Sequence, residues 1–288
     1  MIAARLVAPL FAGHAGLILF STVALVTFLA GPPPAWLAQE PNATAYRMGW
    51  TYSGPTYVVL GAAAALAHLA ARVGWGRAAA TFALTSLVAL GSELLGTSTG
   101  FPFGPYSYTS LLGLRVLGKV PFPIPVSWAY MIYASLAIVA RVLAPGDGWR
   151  TRVRWALLGG AVLTAWDVAM DPAMSFVTKH WVWHVDGAFY GMPWVNWAGW
   201  YATGVVVSLV MLALIPPSRL APRVAPSRFP LALYAANGVM PIAMCFRSGL
   251  WWAATGGLIA MAIPLAAALR ARARRSERGL ALAGAAGD

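Results

Sequence analysis

Apolar positions in this chain fall into long, nearly unbroken runs. Stretches of roughly 20 apolar residues recur from end to end, the length that spans a ~30 Å hydrocarbon core. The pattern predicts helices at about 6–30, 54–73, 77–96, 121–143, 154–177, 193–215, 229–246 and 249–270. A membrane barrel would show short alternating strands instead. The seventh run is the weakest, because it contains Asn237, Gly238 and Pro241. Seven helices with a re-entrant segment is the alternative. The first run is too long for a signal-peptide core and lacks a convincing cleavage site, so a retained helix is expected. The predicted fold is all-α, a polytopic transmembrane bundle of about eight helices. Residues 1–270 are expected to form one integral-membrane domain, and the basic, then Ala/Gly-rich tail (271–288) to fray. No internal repeat is visible.

Composition agrees with the pattern. Of 288 residues, 60% are hydrophobic and 10% charged, against about 25% charged in a soluble domain. The single cysteine, Cys245, rules out an internal disulfide and a cysteine metal cluster. A net charge of +12 raises the question of nucleic acid. Charge placement answers it. With eight helices, 15 of the 20 Lys and Arg residues fall on one side of the membrane. They include Arg72, Arg77, Arg141, Arg150, Arg219, Arg223 and the tail arginines. The other five are Arg47, Arg115, Lys119, Lys179 and Arg247. That asymmetry is the positive-inside signal, so both termini are expected in the cytoplasm and the protein in the cell (inner) membrane. The basic residues then meet anionic lipid, not nucleic acid.

Three of the eight acidic residues, Glu93, Asp167 and Asp171, sit inside apolar runs. Each costs about 2.5–3.5 kcal/mol at mid-membrane on insertion scales, so each is a functional candidate. A purely structural pairing with an arginine or a helix end is the competing account. By the helix count, the third and fifth helices both run outward. Glu93 lies near the outer end of one; Asp167 and Asp171, four residues apart and so on one face, lie in the outer half of the other. Three carboxylates at one depth in a low dielectric do not all ionise together. A proton donor beside an ionised acceptor suits general acid/base chemistry.

Two aromatic segments cover the same side: "TSTGFPFGPYSYTSLLG" (97–113) and "TKHWVWHVDGAFYGMPW" (178–194), the latter leading into "WVNWAGWY" (194–201). An interfacial aromatic belt explains part of this. It does not explain the Gly and Pro punctuation, which fixes turns. His180 and His184 have a ligand-like spacing that is common by chance, so no metal site is assigned to them. His14 and His68 are expected to be packed or hydrogen-bonded. Asn196 caps its helix or serves the site. There is no P-loop, no dinucleotide fingerprint and no G-x-S-x-G. What remains is acids, hydroxyls and π-faces, and aromatic faces stabilise cations. That combination suits carbocation chemistry on an isoprenoid reaching the pocket sideways from the bilayer.

The segments "ELLGTSTGFPFGPYSYTSLLGLRVLGKVPFPIPVSWAYMIY" (93–133), "AWDVAMDPAMS" (165–175) and "WVWHVDGAFYGMPWVNWAGWY" (181–201) resemble the two conserved blocks of the membrane carotenoid hydratase family. That family includes gamma-carotene 1'-hydratases and bisanhydrobacterioruberin hydratases. The resemblance covers most of the central third of the chain; the flanking helices match only in hydropathy. It implies a cofactor-independent addition of water across the C1',C2' double bond of an acyclic carotenoid end group. The substrates would be a lipophilic carotenoid and water. Protonation at C2' leaves a tertiary cation at C1', where water adds. Glu93 or Asp171 would transfer the proton, and Asp167 would orient or activate water. Tyr106, Tyr108, Trp183 and Trp197 would line the cation, with Phe101, Phe103, Tyr190 and Asn196 completing the substrate site. Other enzymes of the same pathway are conceivable partners that no residue here specifies.

Two alternatives follow from the same residues. Asp167 and Asp171 form a D-x-x-x-D resembling half of the magnesium–diphosphate motif of intramembrane prenyltransferases, but no second cluster accompanies it. A carotenoid- or lipid-binding protein, or a small transporter, would use the acids as a proton relay.

Overall fold

The computed structural model describes residues 2–28 and 34–285. Nine α-helices make up about three quarters of the described chain: α1 (Ile2–Phe28), α2 (Asn42–Val73), α3 (Trp75–Thr99), α4 (Pro123–Val142), α5 (Trp149–Asp171), α6 (Val195–Leu214), α7 (Pro217–Val224), α8 (Phe229–Arg247) and α9 (Trp251–Ala285). Among the described residues, all of these except the short α7 are long and apolar enough to cross a membrane. They fall on the eight apolar runs of the sequence. The end of the first run, at 29–30, and residues 286–288 of the tail lie outside the described residues.

Helix α4 is the axis of the bundle. Its spanning window is 83% buried, against 22% for α1. It touches α2, α3, α5, α6, α7, α8 and α9. Trp128, Tyr130 and Tyr133 are fully enclosed within it. A helix apolar all round belongs inside a bundle, and Pro123 opens it at the one position where a missing N–H costs nothing.

Helix α8 replaces the re-entrant alternative with one continuous helix. Pro241 cannot donate to the carbonyl of Asn237 four residues back. The indole Nε1 of Trp166 donates to that carbonyl instead, at 2.9 Å. Tyr130 donates to the Asn237 side chain at 2.8 Å. Neighbouring helices thus satisfy the backbone group that proline frees, as an apolar surrounding requires.

Three other features depart from the hydropathy pattern. Helix α2 begins at Asn42, not near 54, because about three polar and aromatic turns precede its apolar run. Helix α7 occupies what read as a loop; it lays Leu220, Ala221 and Val224 inward and leaves Arg219 and Arg223 exposed. Short strands also form: β1 (Tyr106–Tyr108), β2 (Arg115–Val116), β3 (Val120–Pro121) and β4 (Trp181–Trp183). β1 pairs antiparallel with β4, and β2 with β3.

Past Asp171, α5 continues as a wider π-helical turn, Pro172–Val177. Pro172 supplies no N–H at the junction, and the amide of Thr178 donates to Ala173 five residues back at 3.2 Å. The two basic ends of α2 and α7 interlock at the opposite end of the bundle. There Arg72 Nε donates to the Arg223 carbonyl at 2.8 Å, and Arg141 donates to the Ser227 carbonyl at 2.6 Å.

Helices α5 and α6 meet through bare backbone. A Cβ at Gly160 would lie 2.9 Å from Val205 Cγ2 and 3.1 Å from the Tyr201 carbonyl oxygen; one at Gly204 would lie 3.1 Å from Gly160 Cα. Small residues permit this approach in lipid, where packing replaces the hydrophobic drive. Gly160→Val should therefore destabilise the bundle by about 1–3 kcal/mol through overpacking. The check is thermal unfolding in detergent followed by tryptophan fluorescence. A melting temperature equal to that of the parent would contradict the close packing of α5 on α6.

Candidate active site

The site is closed by the β1–β4 pair, whose register is Tyr106 opposite Trp183, Ser107 opposite Val182 and Tyr108 opposite Trp181. Side chains alternate across a strand. Tyr106, Tyr108, Trp181 and Trp183 therefore share the face turned toward the bundle, while Ser107 on the other face meets His184 Nε2 at 3.0 Å. The four rings pack on one another, with centroids 5.3 Å apart for Tyr106–Trp183 and 5.9 Å for Tyr108–Trp181. Bare glycines let the cap sit close. A Cβ at Gly96 would lie 2.7 Å from the Phe103 ring and 3.1 Å from the Tyr106 hydroxyl.

The cap's two strands serve two different carboxylates. Glu93, on α3, is buried. Its Oε2 accepts from Tyr106 at 2.5 Å and from Tyr108 at 2.8 Å. Its Oε1 accepts from the Trp128 indole of α4 at 3.0 Å. Both phenols are pushed well above the usual tyrosine range, first by burial and then by the nearby Glu93 charge, so they remain protonated donors.

Asp171, at the end of α5, is equally buried. Its Oδ1 accepts from Ser175 at 2.9 Å and Trp183 at 3.1 Å; its Oδ2 accepts from Trp181 at 3.2 Å and Asn196 at 3.3 Å. Ser175 reaches back because the π-helical turn places it there. Asn196 Nδ2 bridges to Asp167 Oδ2 at 3.0 Å. A carboxylate has about four lone-pair sites. All four are filled on Asp171, whereas Glu93 has one left, on Oε1.

Glu93 and Asp171 both border a cavity of about 650 Å³. Its inner wall is aromatic: Trp128 stacks on Trp200 at 4.3 Å between centroids, and Trp166 meets Trp200 edge-on at 5.9 Å. Neither Lys nor Arg lines it among the described residues; the ionisable side chains on its wall are these two acids, five tyrosines and His180. Burial lowers the His180 imidazole to about 4, so it is neutral near pH 7. It shares a 2.6 Å hydrogen bond with Thr178.

Of the residues singled out from sequence, Glu93, Phe103, Tyr106, Tyr108, Asp171, Trp183 and Asn196 border this one cavity. Asp167 does not; it is fully buried behind the wall, where Asn196 Nδ2 meets it, although its neighbour Trp166 borders the cavity. Phe101 points away and is 69% exposed. Tyr190 and Trp197 belong to a separate cluster with Phe189 and Trp194, with Phe189–Trp197 centroids 4.9 Å apart. His180 and His184 turn to different hydroxyls, and no three metal-ligating side chains converge among the described residues. His14 bonds the Tyr57 carbonyl at 2.7 Å, and His68 bonds Tyr133 and Ser227. Trp128 and Ser175 join the site unannounced. "YSY" and "WVW" carried the missing signal: an aromatic at every second position is a strand pattern.

No solved structure matches this chain significantly. The bisanhydrobacterioruberin hydratase of Haloarcula japonica is 31% identical to it over 134 residues, covering 46% of this chain and 44% of that protein. The match thus spans less than half the length of that relative. A family model described as carotenoid biosynthesis protein matches residues 53–264, from within α2 to within α9, and so takes in both carboxylates and their cap. On that match, the chain belongs to the carotenoid biosynthesis protein family.

Proposed function

We propose that this protein adds water across the C1',C2' double bond of an acyclic carotenoid end group, such as that of lycopene or gamma-carotene. The observation that carries the reading is the inequality of the two carboxylates on one aromatic cavity wall. Glu93 keeps an unfilled lone-pair site that can hold a transferable proton; Asp171 is saturated by donors, which favours its ionised form as substrate arrives. Family membership and the name of the Haloarcula relative support the same chemistry.

In this mechanism Glu93 gives its proton to C2', and the π electrons of the double bond form the new C–H bond. Positive charge develops at the tertiary C1'. Asp171 and the faces of Trp183, Trp128 and Trp200 stabilise it. Water adds to C1' through oxygen and loses one proton toward Asp171, where Ser175 is the one donor of the four that can rotate aside. One proton enters the substrate and one leaves the water; return of that proton from Asp171 to Glu93 restores both acids, so the net change is one water added. Asp167 acts as a positioning residue through Asn196. A diphosphate substrate would find no cationic side chain on the cavity wall among the described residues, which weighs against the prenyltransferase alternative. With the arginine-rich end in the cytoplasm, the cap and both acids lie toward the opposite face of the membrane.

The test is pigment analysis in a bacterium engineered to make lycopene or gamma-carotene. The parent chain should yield a more polar pigment heavier by one water, and Glu93→Gln should reduce its formation by about 10²–10⁴-fold, the usual worth of a general acid. Unchanged pigment with well-expressed parent protein would refute the proposal.

The same assay ranks the two aspartates. Asp171→Asn should cost at least roughly tenfold more in kcat than Asp167→Asn, since a group touching the reacting atoms outweighs one acting through a neighbour. Size-exclusion profiles equal to the parent's would establish that both variants fold. Equal losses would return Asp167 to the reacting centre.

A further inference from the structure

The cavity reaches well beyond the acids. It continues outward between α1 and the first turns of α2, where Phe20, Phe28, Trp36, Tyr46 and Trp50 border it. Phe20 is 61% exposed and Trp36 55%. Exposed aromatic and aliphatic side chains on a spanning helix face lipid, so this arm of the cavity opens sideways and not toward water.

The helix pair is built as a wedge. In its inner half α1 and α2 are in contact: a Cβ at Gly61 would lie 2.7 Å from His14 Nδ1, and one at Gly13 would lie 3.3 Å from Leu60 Cδ1. His14 fixes the closed end by bonding the Tyr57 carbonyl at 2.7 Å and approaching Asn237 Nδ2 at 3.3 Å. Two turns further out the packing loosens: a Cβ at Gly49 would meet Phe20 Cε1 at 3.9 Å, an ordinary contact, and beyond it Ala24 on α1 and Ala45 on α2 both border the cavity. Arg247 holds the α1 end on α8 through the Val26 carbonyl at 3.0 Å. Phe28 meets Trp36 and Tyr46 edge-on, both at 6.3 Å between centroids, forming an aromatic lip.

We propose that the outer gap between α1 and α2 is a lateral portal by which an acyclic polyene enters from the lipid, end first. This rests on the proposed function above for the identity of the occupant. The cap covers the far end of the cavity, where the acids lie. A ~650 Å³ space is the size of an ordinary small-molecule pocket. It therefore holds one end of a long polyene beside the acids and leaves the remainder in the portal and the bilayer.

The test closes the portal reversibly. Cys245 is buried, so engineered cysteines can be labelled selectively. Phe20→Cys with Gly49→Cys is joined by a short, reducible bifunctional thiosulfonate in the full-length protein. Lycopene loading is followed by quenching of tryptophan fluorescence, and hydration separately by chromatography. Cross-linking should slow loading at least tenfold, and reductant should restore it in the same sample, which excludes misfolding as the cause. Loading at an unchanged rate after complete cross-linking would overturn the portal, as would a protein that never takes up lycopene. Loading that responds as expected, with no water added in either state, leaves the portal standing and removes the hydratase reading instead.

Discussion

A carboxylate buried in a membrane bundle must be surrounded by donors, and that requirement organises this structure. Leaving water without hydrogen-bonding partners costs an ionised group more than any packing gain can offset. Here the donors are supplied from outside the helices that carry the acids. Glu93 rides on α3, yet its partners come from β1 and α4; Asp171 rides on α5, yet three of its four partners come from β4 and α6. The two acids therefore pin the cap to the bundle. Without them, the four cap rings would have no reason to turn inward, and without the cap the acids would have no place in the hydrocarbon layer.

This dependence explains why proline, glycine and the π-helical turn recur around the site. Gly96 gives the Phe103 and Tyr106 rings room against α3, and Pro172 widens the end of α5 so that Ser175 faces back to Asp171. Each feature is a local departure from ideal helix that a bundle alone would not need. Such departures at a buried charge are characteristic of functional sites in membrane proteins, where irregular backbone survives only against a cavity or other protein.

The helices were legible because hydropathy is a property of length and composition, and both are local. Glu93 and Asp171 stood out for the same reason: an acid in an apolar run needs no neighbour to be conspicuous. The cap was not legible as a sheet, since Tyr106 and Trp183 are far apart in sequence and three-residue strands carry little pattern of their own. Asp167 illustrates the limit of facing arguments. Four residues place two side chains near one helix face, yet Asp171 borders the cavity and Asp167 turns to Asn196 behind its wall. Phe101 shows the complementary limit: aromatic composition marks the loop without saying which ring turns inward.

The polar interior and the wedge between α1 and α2 solve opposite problems with the same helices. Asn237 illustrates this. Its carbonyl, freed by Pro241, takes the Trp166 indole, while its side chain takes Tyr130 and meets His14. That node locks α1, α4, α5 and α8 together just below the cavity, so the inner halves of α1 and α2 are held by hydrogen bonds on one side and glycine contacts on the other. With that end fixed, residues of both outer halves border the cavity. An apolar gap in a loosely joined helix pair would close by packing, because lipid offers the helices no reason to stay separated. In the proposed portal, the fixed inner node would hold the outer arm of the cavity open toward the bilayer, with the donor-rich cap and the acids at its end.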